Sequence, residues 1–161
     1  MKVVGLIGDT HVPDRARVIP WKALEALKGA DTILHVGDLT EFSVLDTLRQ
    51  VAPRVLAVRG NMDPEGVRSK LPKMVRLQVE GVRIGAVHEP PIDARKLADE
   101  EGLRVIVYGH LHKPFVRRDG ETLLVNPGSP VMPLPPFIVK PTVGLLRVEG
   151  DKVEAEIVRL R

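Results

Sequence analysis

The stretch Met1-Lys2-Val3-Val4-Gly5-Leu6-Ile7-Gly8-Asp9-Thr10-His11 decides the fold. Its apolar run has the length of a buried strand, and after Gly8 it delivers an acid and an imidazole two residues apart. Residues i and i+2 of a strand share one face, and a loop just past the strand end keeps that convergence. A carboxylate beside an imidazole is a ligand pair that suits a divalent metal. By itself, Asp-x-His after a strand is more often a turn carrying an incidental histidine. Repetition changes its weight: the same order of apolar segment and polar ligand recurs four more times downstream.

Outward from this stretch, residues 18–27 place Ile19, Ala23, Leu24, Ala26 and Leu27 at helical spacing, with Pro20 near the start and Gly29 just past the end. Residues 31–36 read as a second buried strand that ends at Gly37-Asp38. Residues 41–50 (Phe42, Leu45, Leu48) form a second amphipathic helix, and residues 54–58 a third strand ending at Gly60-Asn61. This β-α-β-α-β alternation predicts parallel strands covered by helices. The second half changes character. Residues 74–79 and 82–87 alternate around Glu80-Gly81, the pattern of an antiparallel hairpin. A short helix over 93–101 precedes a buried strand over 104–108, which ends at Gly109-His110-Leu111-His112. Residues 115–118 and 122–125 flank Asp119-Gly120, a strong hairpin signal, and residues 142–148 and 152–160 flank Glu149-Gly150-Asp151. Between them, residues 126–141 hold six prolines and must form an irregular loop. Its apolar run over 131–138 calls for a cover, either the chain's own core or a second subunit. The expectation is an α/β fold, a two-layer sandwich of mixed β-sheets flanked by helices, in one domain over residues 1–161.

Composition bounds the function. A chain of 161 residues with 43% hydrophobic and 28% charged residues is an ordinary soluble globular domain. No apolar run approaches the roughly 20 residues of a membrane span. The N-terminus reads straight into a strand, so no signal peptide is expected and the cytoplasm is the expected compartment. The absence of cysteine excludes disulfides, thiolate zinc sites and a Cys nucleophile. A net charge of +3, spread without a Lys/Arg block and with only five aromatic residues, argues against a stacking platform for single-stranded nucleic acid. No stable nucleic-acid complex is therefore expected.

The strand ends supply Asp9, His11, Asp38, Asn61, His88, His110 and His112. In open α/β sheets such loops gather at one edge, where ligands bind. Seven oxygen or nitrogen ligands are too many for one ion; they fit two ions that share a carboxylate, about 3.5–4 Å apart. Four of the five histidines stand in this set. The fifth, His35, lies inside the second strand and reads as a packed or hydrogen-bonded core residue.

Taken together, Asp9-x-His11, Gly37-Asp38, Gly60-Asn61, His88, Gly109-His110-x-His112 and Asn126-Pro127-Gly128-Ser129 resemble the calcineurin-like metallophosphoesterases. The likeness is greatest to the small prokaryotic phosphodiesterase branch, which also includes the retromer subunit Vps29, and it spans essentially the whole chain. It implies two central mixed sheets with a dimetal site at their edge. By that resemblance Asp9, His11 and His112 would hold one ion and Asp38 would bridge. Asn61, His88 and His110 would complete the other. Manganese is the first choice, with nickel, iron and zinc as alternatives. A hydroxide bridging the ions would attack phosphorus in line, with Asp38, Asn61 and His88 as catalytic residues and Asn61, His88 and Ser129 at the substrate. The implied activity is hydrolysis of a small-molecule or nucleotide phosphodiester by a chain expected to form a homo-oligomer. A phosphomonoesterase is a near alternative. A Vps29-like protein-binding scaffold with vestigial or weak phosphoesterase activity is the alternative from another class.

Three departures from the family pattern stand out. Met62 occupies the position where larger members carry a histidine that protonates the leaving group, which leaves water, or at a distance Asp63, to supply that proton. Glu89 replaces a glycine after His88 and is expected to face solvent. No arginine follows the Asn-Pro-Gly-Ser turn; Arg15 and Arg17 are the nearest substitutes, with solvation their expected fate.

Overall fold

Alternating burial along the first strand sets the layering. In β1 (Lys2–Ile7), Val4 and Leu6 point into one apolar cluster while Val3 and Ile7 belong to another on the opposite face. The computed structural model describes residues 1–131 and 140–160. β1 pairs in parallel with β2 (Thr32–His35), and β2 with β3 (Val55–Ala57). On the other side β9 (Thr142–Glu149) and β10 (Lys152–Arg159) add antiparallel, which gives the order β10-β9-β1-β2-β3. A second sheet has the order β4-β5-β6-β8-β7, built from β4 (Met74–Val79), β5 (Val82–Val87), β6 (Val105–Tyr108), β7 (Phe115–Asp119) and β8 (Thr122–Asn126). Its β5-β6 and β6-β8 pairs are parallel and its two hairpins antiparallel.

The two sheets enclose one core, in which Leu6, Leu34 and Val36 meet Ile84, Val105, Val107 and Val125. Each such side chain, fully buried, contributes about 1.5–3 kcal/mol. The outer face of the first sheet is covered by α1 (Trp21–Leu27) and α2 (Ser43–Arg49) through Ala23, Leu27, Val44, Leu45 and Leu48. On the second sheet α4 (Ala94–Glu101) lays Ala98 against Ile106, Tyr108 and Leu124. Helix–sheet–sheet–helix layering is thus the direct consequence of period-two strands with apolar residues on both faces.

The differences from the sequence reading are local. α1 starts at Trp21 rather than residue 18, because Pro20 takes the cap position and the exposed Val18 contributes nothing to the core. α4 is bounded as its sequence suggests: the Asp93 carboxylate accepts the Lys96 N–H at 3.0 Å, and Gly102 closes the helix with φ +68°. A single-turn helix, α3 (Glu65–Arg68), follows Pro64 and is too short to leave a periodic signal. Apart from the buried Val131, the apolar loop run expected to need a cover lies outside the described residues. Among the described residues no helix is long and apolar enough to cross a membrane.

Candidate metal centre

Loops that leave β1, β2, β3, β5 and β6 converge on one point. Five of the seven expected ligand residues sit there with φ in the left-handed region: Asp9 (+52°), His11 (+46°), Asp38 (+58°), His110 (+70°) and His112 (+56°). This conformation is uncommon for residues with a Cβ, and its clustering marks loops bent to aim side chains inward. Close approach also explains two of the glycines that precede ligands. A Cβ on Gly37 would come within 2.6 Å of His88 Nδ1, and one on Gly60 would overlap the Asp38 carboxylate. Those two loops meet only because neither residue has a side chain.

All seven residues are linked by short polar contacts. His88 Nε2 lies 3.2 Å from Asp38 Oδ2 and 2.7 Å from Asn61 Oδ1, and His110 Nδ1 lies 3.1 Å from the same Asn61 oxygen. His11 Nε2 is 3.8 Å from Asp38 Oδ2 and 3.4 Å from His112 Nε2, which is 3.6 Å from Asp9 Oδ1. Two carboxylate–imidazole groups emerge, Asp9–His11–His112 and Asp9–Asp38–His88, each with its ligand atoms mutually within 4.8 Å. Asp38 stands between the two pairs of rings. Its Oδ1 accepts the Met62 N–H at 2.7 Å, which leaves Oδ2 for the histidines.

The hydrogen-bond accounting tests whether a cation fits. Asp9 Oδ2 accepts the His110 N–H at 3.2 Å, whereas Asp9 Oδ1 is buried with no hydrogen-bond partner among the described residues. His88 Nδ1 faces the Val36 carbonyl at 2.7 Å and must donate to it, so the neutral ring turns its Nε2 lone pair toward the oxygens of Asp38 and Asn61. Three acceptors, His88 Nε2, Asp38 Oδ2 and Asn61 Oδ1, therefore face one another, and only His110 Nδ1, in one tautomer, can donate to the Asn61 oxygen. Only a proton or a metal ion relieves that arrangement, and the donor set of carboxylates, imidazoles and one amide oxygen is suited to a divalent ion.

The electrostatics agree. Burial, reinforced by the neighbouring Asp38 charge, pushes the Asp9 carboxyl up to about 7. Burial opposes ionisation of Asp38 too, but the His88 hydrogen bond and charge, the Met62 N–H and His11 together hold it below the ordinary carboxylate range. For His88, burial works against the charged ring and is outweighed by Asp38, so its pKa rises. His11 is lowered chiefly by burial, and His112 is lowered to about 4 by burial together with the charges of His11 and Arg15. Protonation is thus favoured on Asp9 and His88 and disfavoured on the His11 and His112 rings.

Several supporting residues surround this cluster. Ser129 Oγ donates to the Asp9 carbonyl oxygen at 2.8 Å, and Asn126 Nδ2 donates to the Gly109 carbonyl oxygen at 3.2 Å. The Asn-Pro-Gly-Ser turn thereby ties the loop after β1 to the loop after β6. The buried Asp63 accepts backbone N–H groups from Gly60 (2.7 Å), Thr40 (2.7 Å) and Asp38 (3.2 Å). Both its oxygens are committed as acceptors, so it is no proton donor to a leaving group; it locks the loops after β2 and β3 together. The only sequence trace of that role is an acid two residues past Asn61, ahead of Pro64. Glu89 is exposed, as expected. His35 is fully buried in β2, accepts the Gly37 N–H on Nδ1 at 3.1 Å and donates Nε2–H to Thr10 Oγ1 at 3.1 Å. Burial lowers its pKa to about 3, which keeps it a neutral structural residue.

Comparison with known proteins places this geometry. Residues 1–151 match the model of the calcineurin-like phosphoesterase superfamily domain. A probable metallophosphoesterase of Methanothermobacter thermautotrophicus is 40% identical to the chain, over 98% of the chain and 92% of that protein. Phosphodiesterase YfcE of Escherichia coli is 33% identical, over 78% of the chain and 77% of its own length. Among solved structures, that of Vps29 from Chaetomium thermophilum matches with a TM-score of 0.83 at 27% identity, covering 98% of the chain and 97% of Vps29.

Proposed function

The chain belongs to the calcineurin-like phosphoesterase superfamily, and from that premise we propose that it hydrolyses phosphodiesters at a centre of two divalent ions. One observation carries the reading: seven side chains from five loops converge, with acceptor atoms facing one another and a buried carboxylate oxygen left without a partner. Asp9, His11 and His112 would hold one ion, Asn61, His88 and His110 the other, with Asp38 shared. Bound there, divalent ions lower the pKa of coordinated water and neutralise charge on the phosphoryl oxygens.

The chain's own groups shape that centre. Only two carboxylates among four imidazoles and an amide limit the negative charge, which would keep bound ions electrophilic. Asp38 gives one oxygen to the Met62 N–H and keeps the other for the site, so its orientation is fixed before any ligand arrives. Ser129, its hydroxyl committed to the Asp9 carbonyl, serves the first ligand loop rather than the substrate. With Met62 in place of an acid beside Asn61, no side-chain proton donor stands at that position among the described residues, so diesters with acidic leaving groups should react fastest. The name of the Escherichia coli relative favours a diester over a monoester. Manganese is the first ion to test.

The experiment is chelation and reconstitution. Protein stripped by chelator should lose hydrolysis of bis(p-nitrophenyl) phosphate and regain it with Mn²⁺ as about two ions bind per chain. Activity that survives complete stripping refutes the reading. The likeness to Vps29 supports a second reading, a protein-binding scaffold; a chain that binds two ions yet hydrolyses no diester would favour it.

A further inference from the structure

We infer that Met62 and Leu111 form an apolar rim that selects the ester group of the substrate, favouring phosphodiesters with an apolar substituent of about ring size; the inference rests on the phosphodiesterase reading above. The loops of the centre treat the apolar residue beside each ligand in two ways. Val12 follows His11 and is 4% exposed, and Leu39 follows Asp38 and is fully buried. Met62 follows Asn61 and is 60% exposed, and Leu111 follows His110 and is 54% exposed. An apolar neighbour of a ligand can thus be folded into the core, and in these two loops it is not.

Both backbones are held at the site. The Met62 N–H donates to Asp38 Oδ1 at 2.7 Å, and the Leu111 N–H donates to the Gly109 carbonyl oxygen at 2.8 Å. The residues before them meet at one atom, since Asn61 Oδ1 lies 3.1 Å from His110 Nδ1. Two exposed apolar residues therefore border the point where the loops after β3 and β6 converge. A diester divides its needs accordingly. Its charged phosphoryl oxygens go to cations and polar groups, whereas its ester groups project away from them and need bring no charge. Met62 and Leu111 offer such a group only apolar contact, and the unbranched thioether of Met62 adapts to its shape. Burial against them stabilises a bound apolar group by about 25 cal/mol for each Å² removed from water; a small or strongly hydrated group gains little.

Calorimetric titration of Mn²⁺-loaded protein with phenylphosphonate and with methylphosphonate tests this apart from turnover, because the two share a head group and differ in the substituent. Wild type should bind the phenyl compound about tenfold more tightly than the methyl one. Met62→Gln combined with Leu111→Gln should cut that ratio to less than about threefold, and either substitution alone should remove part of it. Met62→Leu, still apolar, should keep the wild-type ratio. So should Val116→Gln, which removes an exposed apolar side chain on β7, outside the ligand loops. No phenyl preference in wild type, an unchanged ratio in the double variant, or an equal fall in Val116→Gln overturns the proposal. If the ratio collapses as expected but the protein cleaves no diester, the inference stands and the phosphodiesterase reading fails. If diesters are cleaved and the ratio does not move, the reading stands and the inference fails.

Discussion

The two halves of the centre are made by different means. Asp9 and His11 are held by backbone: their N–H groups each bond a carbonyl of the loop after β2 at 3.0 Å, and the Ser129 hydroxyl donates to the Asp9 carbonyl. Asn61 and His110, by contrast, are exposed; the Asn61 oxygen meets the His88 and His110 rings, and the His110 N–H reaches back to Asp9 Oδ2. Burial lowers the pKa of both imidazoles in the sheltered half, whereas for His88 in the open half Asp38 outweighs burial and raises it. A cation entering the first competes with a proton on Asp9, whose carboxyl is pushed up to about 7; one entering the second competes with a proton on His88. The open half is also where solvent and ligands have access. Affinity and exchange are thus divided between the two sides, and Asp38 joins them.

Breaking that junction should have the largest effect. Asp38→Asn removes the shared charge and should empty both sides together, lowering kcat/KM by roughly 10³-fold or more. Metal analysis that still finds two ions per chain in this variant would show the halves to be independent. Asp63→Ala attacks the frame instead. Three N–H groups lose their acceptor, so stability should fall by about 3 kcal/mol and metal affinity by about 10–100-fold, read by denaturant melts and metal titration. If affinity is unchanged while stability falls, the loops after β2 and β3 are aligned by something other than Asp63.

A milder change separates the sides. His88→Asn should weaken one ion by about 10–100-fold and leave the other in place. The sign of the pH effect follows from the proton on His88: its raised pKa means that acid competes with metal there, so wild-type affinity for the weaker ion falls as pH drops through that pKa. In His88→Asn that slope should flatten. A slope that is the same in His88→Asn as in wild type would show that His88 does not set it.

Much of this was legible in the sequence because strand period and strand ends are local properties. The run from Val3 to Ile7 dictated a two-faced strand, and Gly37, Gly60 and Gly109 marked where the chain turns out of the sheets with a polar residue next in line. The hairpins at Glu80-Gly81 and Asp119-Gly120 followed from turn chemistry, and Glu80 does adopt φ +49° while Gly120 adopts +65°. What could not be read depends on pairs distant in sequence. The partner of Asp63 is Thr40, 23 residues away, and that of Ser129 is Asp9, 120 residues away. Neither acid nor hydroxyl signals from its neighbours that it will be buried on a backbone group. The raised pKa of His88 belongs to the same class, since it depends on Asp38 outweighing burial and, less, on the Val36 carbonyl 52 positions earlier.

His35 and His88 extend the comparison to its smallest effect. Both are buried, yet His35 has a protein partner on each ring nitrogen while His88 has one nitrogen turned to the site. Burial holds the His35 pKa near 3, against an ordinary value of 6.5 in the unfolded chain. A base with a depressed folded pKa stabilises the fold fully above the unfolded value, and that contribution declines as pH falls from about 6.5 toward 3, because only the unfolded chain takes up the proton. Near pH 5 the slope from this one group approaches about 1.4 kcal/mol per pH unit. His35→Gln removes the titration, so chemical denaturation of the stripped protein should show a variant less stable than wild type at pH 7.5 and a gap that narrows by about 1 kcal/mol between pH 6 and 5. Because the metal-free form is measured, no ion competes, and His88, whose pKa rises on folding, shifts both proteins alike. A gap that stays constant with pH would mean that His35 carries its proton inside the fold, and that its bond to the Gly37 N–H does not fix the tautomer.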